Sequence, residues 1–413
     1  MPYMAVVPPS PLVLSFETAR SRVEEHAEGL RPRGKELVEL LESAGCVLAE
    51  PVSADRDFPP FPRATRDGYA LQASDLTHCP ARLNVIGEIK AGGLAEMRLE
   101  GGQAVSIMTG AAVPQGADAV VMVEFTAREG DQVTITKPIE AGGNIVAAGA
   151  EAKRGEKLLT PGIRLDHAAI AMAASVGRSR LLVYAKPRVA VLSTGDEIVD
   201  IDVPPGPTQI RNSNSYSLAA QIQAAGGEPW LLPIAPDRPG RLRELIAEGL
   251  EADLLLLTGG VSMGKYDLVE PALAELGAEF FFTGVQIQPG RPVVFGRVPS
   301  RQRYFFGLPG NPVSTMVTFE LFARPMVEAL AGRLSRRLVF LRARLKSEIK
   351  TKPGLKRFLP AILSGEFEQA EVELAGWQGS GDIAAVARAN CYAVIPADRE
   401  HIAAGEWIPV LIR

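Results

Sequence analysis

Apolar residues in the first part of the chain recur at helical spacing. Phe16, Ala19, Val23, Ala27 and Leu30 share one face and predict a helix over 15–30. Leu37, Leu40, Leu41 and Ala44 continue the period and predict a second helix over Lys35–Ala44, stopped by Gly45. The proline-rich run from Pro59 to Arg63 marks a boundary. From Leu83 to Pro138 the pattern changes to short β-branched runs, LNVIGEI, QAVSIM, ADAVVMV and QVTIT, separated by glycine and polar turns, which predict a small β domain. AGGNIVAAGAEAKRGEKL reads as a return connection, and LDHAAIAMAASVG as a short helix ending at Gly177.

From Lys186 strands and helices alternate. PRVAVLS, PWLLPI and ADLLLLTGG are strands, and NSYSLAAQIQAAGG and RPGRLRELIAEGL are helices; PVVFG, YFFG and a long helix from Pro312 follow. Such alternation predicts a doubly wound, largely parallel α/β sheet, whose ligands bind outside the carboxyl ends of the strands. From Arg337 onward LVFLRARL, AEVELAG, CYAVIPA and EWIPVLIR predict a small β barrel or sandwich. The expected division is an elongated helical/β domain built from 15–58 and 146–185, a β domain over 59–145, an α/β domain over 186–335 and a C-terminal β domain over 336–413.

At 413 residues the chain exceeds one ordinary core. With 46% apolar and 22% charged residues, it has the profile of a soluble globular protein. No apolar run is long enough to cross a bilayer, and the first residues carry no secretory pattern, so a cytoplasmic protein without membrane partners is expected. A net charge of −4 argues against a non-specific nucleic-acid binder. Cys46, Cys79 and Cys391 are far apart and odd in number, which points to reduced thiols rather than a disulfide framework or zinc site. His26, His78, His167 and His401 form no spaced metal-binding pair. No GxGxxG follows a strand where a dinucleotide fold needs one.

Three loops at strand ends of the α/β domain could carry chemistry. They are Ser193-Thr194-Gly195-Asp196-Glu197; Thr258-Gly259-Gly260-Val261-Ser262-Met263-Gly264, followed by Asp267; and Leu308-Pro309-Gly310-Asn311-Pro312-Val313-Ser314. Glycine lets backbone N–H groups approach an oxyanion, hydroxyls add donors, and a helix N-terminus adds partial positive charge. Pro312 suits a first helical turn. Carboxylates beside a bound phosphate call for a hard cation, commonly Mg²⁺, and Glu197, Asp237 and Asp267 are the candidates. Any one loop alone could be only a turn; three at strand ends of one sheet point to a site. For Asp196 and Asp237 helix capping or a solvated position is the plain alternative. Asp67, in RATRDGYA, and Thr109, in MTGAAVP, would pass as turn and loop-cap residues on physical grounds.

Taken in order, FPPFPRATRDGYAL, SIMTGAAVPQGADAVVMVE, VLSTGDEIV, QIRNSNSYSL, LLLTGGVSMGKYD, QPGRPVVFG and GLPGNPVS resemble the MoeA and gephyrin E-domain family, the molybdopterin molybdotransferases, over nearly the whole chain. The resemblance implies an α/β multi-domain fold with a molybdopterin-binding domain and a C-terminal β barrel, assembled as a homodimer. It implies an enzyme that converts adenylylated molybdopterin and molybdate into molybdenum cofactor and AMP with Mg²⁺. Molybdopterin adenylyltransferase and molybdoenzymes would be its partners. Catalytic positions would be Asp67, Thr109, Glu197, Asp237 and Asp267, the last three holding the metal. Ser193, Thr194, Gly195, Gly259, Gly260, Ser262, Pro309, Gly310, Asn311 and Pro312 would bind molybdopterin; Arg291, Ser314 and Ser380 would bind molybdate. Where the family carries basic residues, Val146, Gly284, Gln288 and Pro360 stand here, with Glu151 near the first and Arg357 near the last, out of register. Those replacements leave two other readings open: a non-catalytic molybdopterin carrier or store, and an insertase that prefers tungstate.

Overall fold

The computed structural model describes residues 12–260, 268–334 and 337–413. Its α/β sheet has six strands in the order Glu228–Leu231, Arg188–Ser193, Leu254–Thr258, Arg303–Leu308, Val294–Val298 and Glu279–Phe282. The first four run parallel, and Val294–Val298 pairs antiparallel with the strand on either side of it. The reversal follows from connection length. Val294–Val298 and Arg303–Leu308 are joined only by a turn of 3-10 helix at Pro299–Arg301, too short for a parallel crossover. Helices cover both faces, so the central strand Leu254–Thr258 is buried throughout and reads as an unbroken apolar run.

The long helix expected from Pro312 is present in three segments, an α-helix Pro312–Thr318, a π turn Phe319–Ala323 and an α-helix Arg324–Leu330. Pro325 lacks the N–H of a regular turn, and the wider π turn just before it absorbs that loss. The helix Phe16–Glu28 is capped by Ser15, whose hydroxyl accepts from the Thr18 N–H. It buries Phe16, Ala19, Val23 and Ala27 against the α/β core, not against the residues that follow it in sequence.

The expected helix over 35–44 does not form. Lys35–Glu39 is a strand paired antiparallel with Arg180–Tyr184, and turns follow it. Leu37 and Leu41 are 60% and 83% exposed. An isolated helix of that length is marginal in water, and a five-residue ladder to a distant strand outcompetes it.

The β domain is a six-stranded sheet whose interior strand Gly68–Leu71 lacks polar alternation because all four residues are buried. In the C-terminal domain Lys356–Ser364, Glu371–Leu374, Phe340–Leu345, Trp407–Ile412 and Cys391–Ile395 pair in turn, and the last pairs back to the first. The sheet therefore closes, and barrel rather than sandwich is the outcome. Lys356–Ser364, which the sequence pattern did not single out, makes that closure. The same strand also takes Ile287–Gln288 of the α/β domain alongside it in parallel, which stitches the two domains together. Phe358 lies at this seam, fully buried, with its ring 5.1 Å from that of Phe16.

Phe358→Ala leaves a cavity at the seam and should cost about 3–5 kcal/mol. Thermal unfolding should show a lower transition, and hydrogen exchange should quicken at Ile287–Gln288.

Candidate functional site

Strand register brings the loops together. Ser193 pairs with Thr258, and Thr258 with Leu308, so all three chains leave the sheet at one level. The loops come so close that a Cβ on Gly259, at φ 91°, would lie 2.6 Å from the Thr194 carbonyl oxygen. No side chain fits there, and the backbone itself forms the wall. Above the strand ends lies a cavity of about 500 Å³, lined by Thr194, Gly195, Gly259, Gly260, Pro309 and Gly310 together with Asn311 and Pro312. The N-terminus of the helix Ser213–Ala224 supplies another wall through Asn212, Ser213 and Asn214.

A buried polar network holds these loops from below. Asn214 Nδ2 donates to Thr258 Oγ1 at 2.9 Å and to the Gly310 carbonyl at 2.8 Å. Thr258 and Thr315 hydroxyls both donate to the Pro309 carbonyl, at 3.2 and 2.5 Å. Asn212 caps its helix by accepting the Ser215 N–H, and also accepts the Ser193 hydroxyl. Ser193 is 1% exposed and bonded to Asn212 and Ser215, beneath the cavity wall rather than on it. The Thr194 hydroxyl, at the cavity edge, is buried without a partner among the described residues. Such a group is costly to leave dry, and a ligand oxygen would satisfy it.

Glu197 and Asp237 line the same cavity, and neither has an ion-pair partner among the described residues. Both supply the hard carboxylate oxygens that Mg²⁺ prefers, but among the described residues no third His, Cys, Asp or Glu joins them in a metal-holding group. Asp196 accepts the Asp237 N–H at 3.1 Å and so caps a turn. Ser262 and Asp267 lie outside the described residues.

A second cavity, about 470 Å³, adjoins the first through Pro292, Pro309 and Asn311. Arg291, Gln288, Ser314 and Ser380 line it, with Leu355 and Trp377, and no carboxylate does. The barrel brings Ser380 here, and its carbonyl accepts the Val313 N–H at 3.0 Å. Arg291 and the hydroxyls of Ser314 and Ser380 have no side-chain partner among the described residues, so this cavity offers a cation and two hydroxyls and no carboxylate. Of the four positions where basic residues are replaced, only Gln288 borders it. Val146 pairs with Arg63, whose guanidinium meets Glu151 at 2.5 Å; Gly284 pairs with Val13; Pro360 pairs with Tyr392 inside the barrel.

Asp67 and Thr109 meet in the β domain and border neither cavity. Asp67 Oδ1 accepts the Thr109 N–H at 2.6 Å and its hydroxyl at 2.8 Å. These bonds, the backbone one first, hold the Asp67 carboxyl below the ordinary aspartate range. Sequence reasoning missed Asn212 and Asn214 as site-building residues. The available signal was an asparagine-rich helix start, RNSNS, on the same sheet edge as the glycine loops.

Residues 14–177 match the family model described as MoeA N-terminal region (domain I and II). Residues 190–329 match a probable molybdopterin binding domain, and 342–412 the MoeA C-terminal region (domain IV). A molybdopterin molybdenumtransferase of Nostoc sp. is 35% identical, over 91% of this chain and 88% of the relative. One of Haemophilus influenzae is 32% identical over 96% and 98%. Among solved structures, a molybdopterin biosynthesis moeA protein of Pyrococcus horikoshii has a TM-score of 0.79 at 30% identity, covering 97% of this chain and all of that one (100%).

Asn214→Ala removes two bonds to the loops and should lower stability by about 1–3 kcal/mol, with faster hydrogen exchange at Gly259, Gly310 and Asn311. Thr109→Val keeps the backbone bond to Asp67 and loses the hydroxyl bond, so the Asp67 pKa should rise part of the way to its ordinary value in a carboxyl NMR titration. Because that pKa is depressed in the fold, the pair's contribution is complete above the ordinary aspartate pKa. It is lost as pH falls through the lowered value.

Proposed function

The chain belongs to the MoeA family of molybdopterin molybdenumtransferases, and from that membership we propose that it inserts molybdenum from molybdate into an adenylylated molybdopterin laid across the two adjoining cavities, releasing AMP. One observation carries the reading: a glycine-walled cavity with free carboxylates adjoins a neighbour lined by a cation and hydroxyls and by no carboxylate.

The reaction joins two anions, so charge has to be neutralised at two places. In the first cavity the backbone N–H groups of Gly310 and Asn311, the Thr194 hydroxyl and the start of the helix Ser213–Ala224 take the phosphates. Glu197 and Asp237, with Asp267, would hold Mg²⁺, which offsets phosphate charge when bound. In the second cavity Arg291 supplies full positive charge, and Ser314 and Ser380 supply hydroxyl donors to a tetrahedral oxyanion. The shared wall of Pro292, Pro309 and Asn311 keeps the oxyanion beside the pterin end of a substrate whose nucleotide end sits among the acids. A homodimer would complete the cleft, with the Asp67–Thr109 pair of one copy facing the first cavity of the other. Among the described residues no helix is long and apolar enough to cross a membrane.

Purified protein given adenylylated molybdopterin, molybdate and Mg²⁺ should release AMP and yield cofactor that activates an apo-molybdoenzyme. Pterin binding without AMP release would replace this reading with that of a carrier. Glu197→Gln should slow AMP release by at least about tenfold at limiting Mg²⁺, with partial recovery at high Mg²⁺, because the lost ligand weakens metal affinity first.

A further inference from the structure

The second cavity has one full charge at its rim, Arg291, and another just behind its wall. Arg357, on the barrel strand Lys356–Ser364, is 8% exposed and ion-pairs with no carboxylate among the described residues. Its only hydrogen bonds among them run from Nε to Gln288 Oε1 at 2.8 Å and from Nη1 to the Leu355 carbonyl at 3.0 Å. Desolvation alone acts on its pKa, in the downward direction, yet guanidinium keeps its proton in proteins. A buried, uncompensated cation is costly, and an anion nearby offsets that cost.

Both of its partners, Gln288 and Leu355, line the second cavity. Parallel pairing sets Gln288 directly beside Arg357, so the contact is built into the seam between the domains. The bond also settles which end of the amide is which. Arginine only donates, so the end of Gln288 that meets it is the oxygen, and the –NH₂ end is left with two donors and no protein partner among the described residues.

We propose that Arg357 is a positioning residue for the oxyanion: it locks the Gln288 amide with its N–H donors turned into the second cavity and lends positive charge through that one hydrogen bond. The proposal rests on reading the second cavity as an oxyanion site, and deepens it. A lysine at position 288 would bring its charge to the cavity unaided; a glutamine there needs the arginine behind it. Polarisation through a charge-assisted bond strengthens the donor at the far end of the amide.

The probes are molybdate and tungstate alone, titrated calorimetrically into the full-length protein at low ionic strength. Arg357→Met keeps the bulk of the side chain and removes its donors, and should weaken oxyanion binding about tenfold. Arg357→Lys should recover part of that loss. The deciding variant is Gln288→Lys. In that background Arg357→Met should cost little, because the lysine needs no orienting. In turnover, Arg357→Met should raise KM for molybdate with kcat nearly unchanged. An equal penalty for Arg357→Met in the wild type and in the Gln288→Lys background would show that Arg357 only supports the seam. That result would overturn the inference while leaving the oxyanion site standing. Wild-type binding equal to that of Arg357→Met would overturn it as well. Absence of any oxyanion binding by the wild type would instead remove the site itself, and the inference with it.

Discussion

The site depends on one buried side chain, Asn214, that ties the loops to each other. Its amide nitrogen bonds Thr258 at the end of one strand and Gly310 in the loop after another. The residues it joins carry backbone polar groups that would be expensive to bury alone. Held this way, loops rich in glycine stay in place without side chains of their own to anchor them. The N–H groups of Gly195 and Gly259 are themselves bonded to the Ala235 and Leu308 carbonyls, which leaves those of Gly310 and Asn311 as the backbone donors a substrate anion can use. The hydroxyls of Ser193, Ser215, Thr258 and Thr315 extend the clamp under the whole floor. Several of the polar residues in these motifs thus serve the geometry of the site rather than touch its ligand.

Above that floor the charges are sorted. Both free carboxylates line one cavity, where Arg211 is the one cation among the described residues, and the adjoining one is lined by the Arg291 guanidinium, amides and two hydroxyls with no carboxylate. Opposite signs packed so close would ordinarily pair and cancel. They stay separate because the rigid wall of Pro292 and Pro309 stands between them, so each can meet a group on the substrate instead. The seam between the α/β domain and the barrel adds to this sorting, since the parallel pairing of Ile287–Gln288 with Lys356–Arg357 delivers a barrel arginine to the back of the donor cavity.

Much of the architecture was legible in the chain. The period of the apolar residues identified the α/β alternation, and glycine spacing identified the loops, since both depend on local rules of backbone and burial. The failures have one origin. The stretch from Lys35 looked helical because Leu37, Leu40 and Leu41 repeat at helical spacing, but Leu37 and Leu41 face solvent and the segment is held by a strand 141 residues away, as the bond from Arg180 to Glu39 measures. Gly68–Leu71, and 357–361 within Lys356–Ser364, lacked alternation because burial on both sides erases it. The four replaced basic positions looked alike in sequence, yet of them only Gln288 borders either of the two adjoining cavities.

The sequence by itself determined the class of fold, the order of its parts, the family and the three strand-end loops, because periodicity, turn chemistry and motif order are properties of neighbouring residues. Only the tertiary structure decided which of those residues share a space. Strand register set Ser193, Thr258 and Leu308 level, barrel closure carried Ser380 to Ser314, and the domain seam set Arg357 against Gln288. Each of these is a contact across tens of residues, and its geometry follows from packing and pairing that no local pattern encodes.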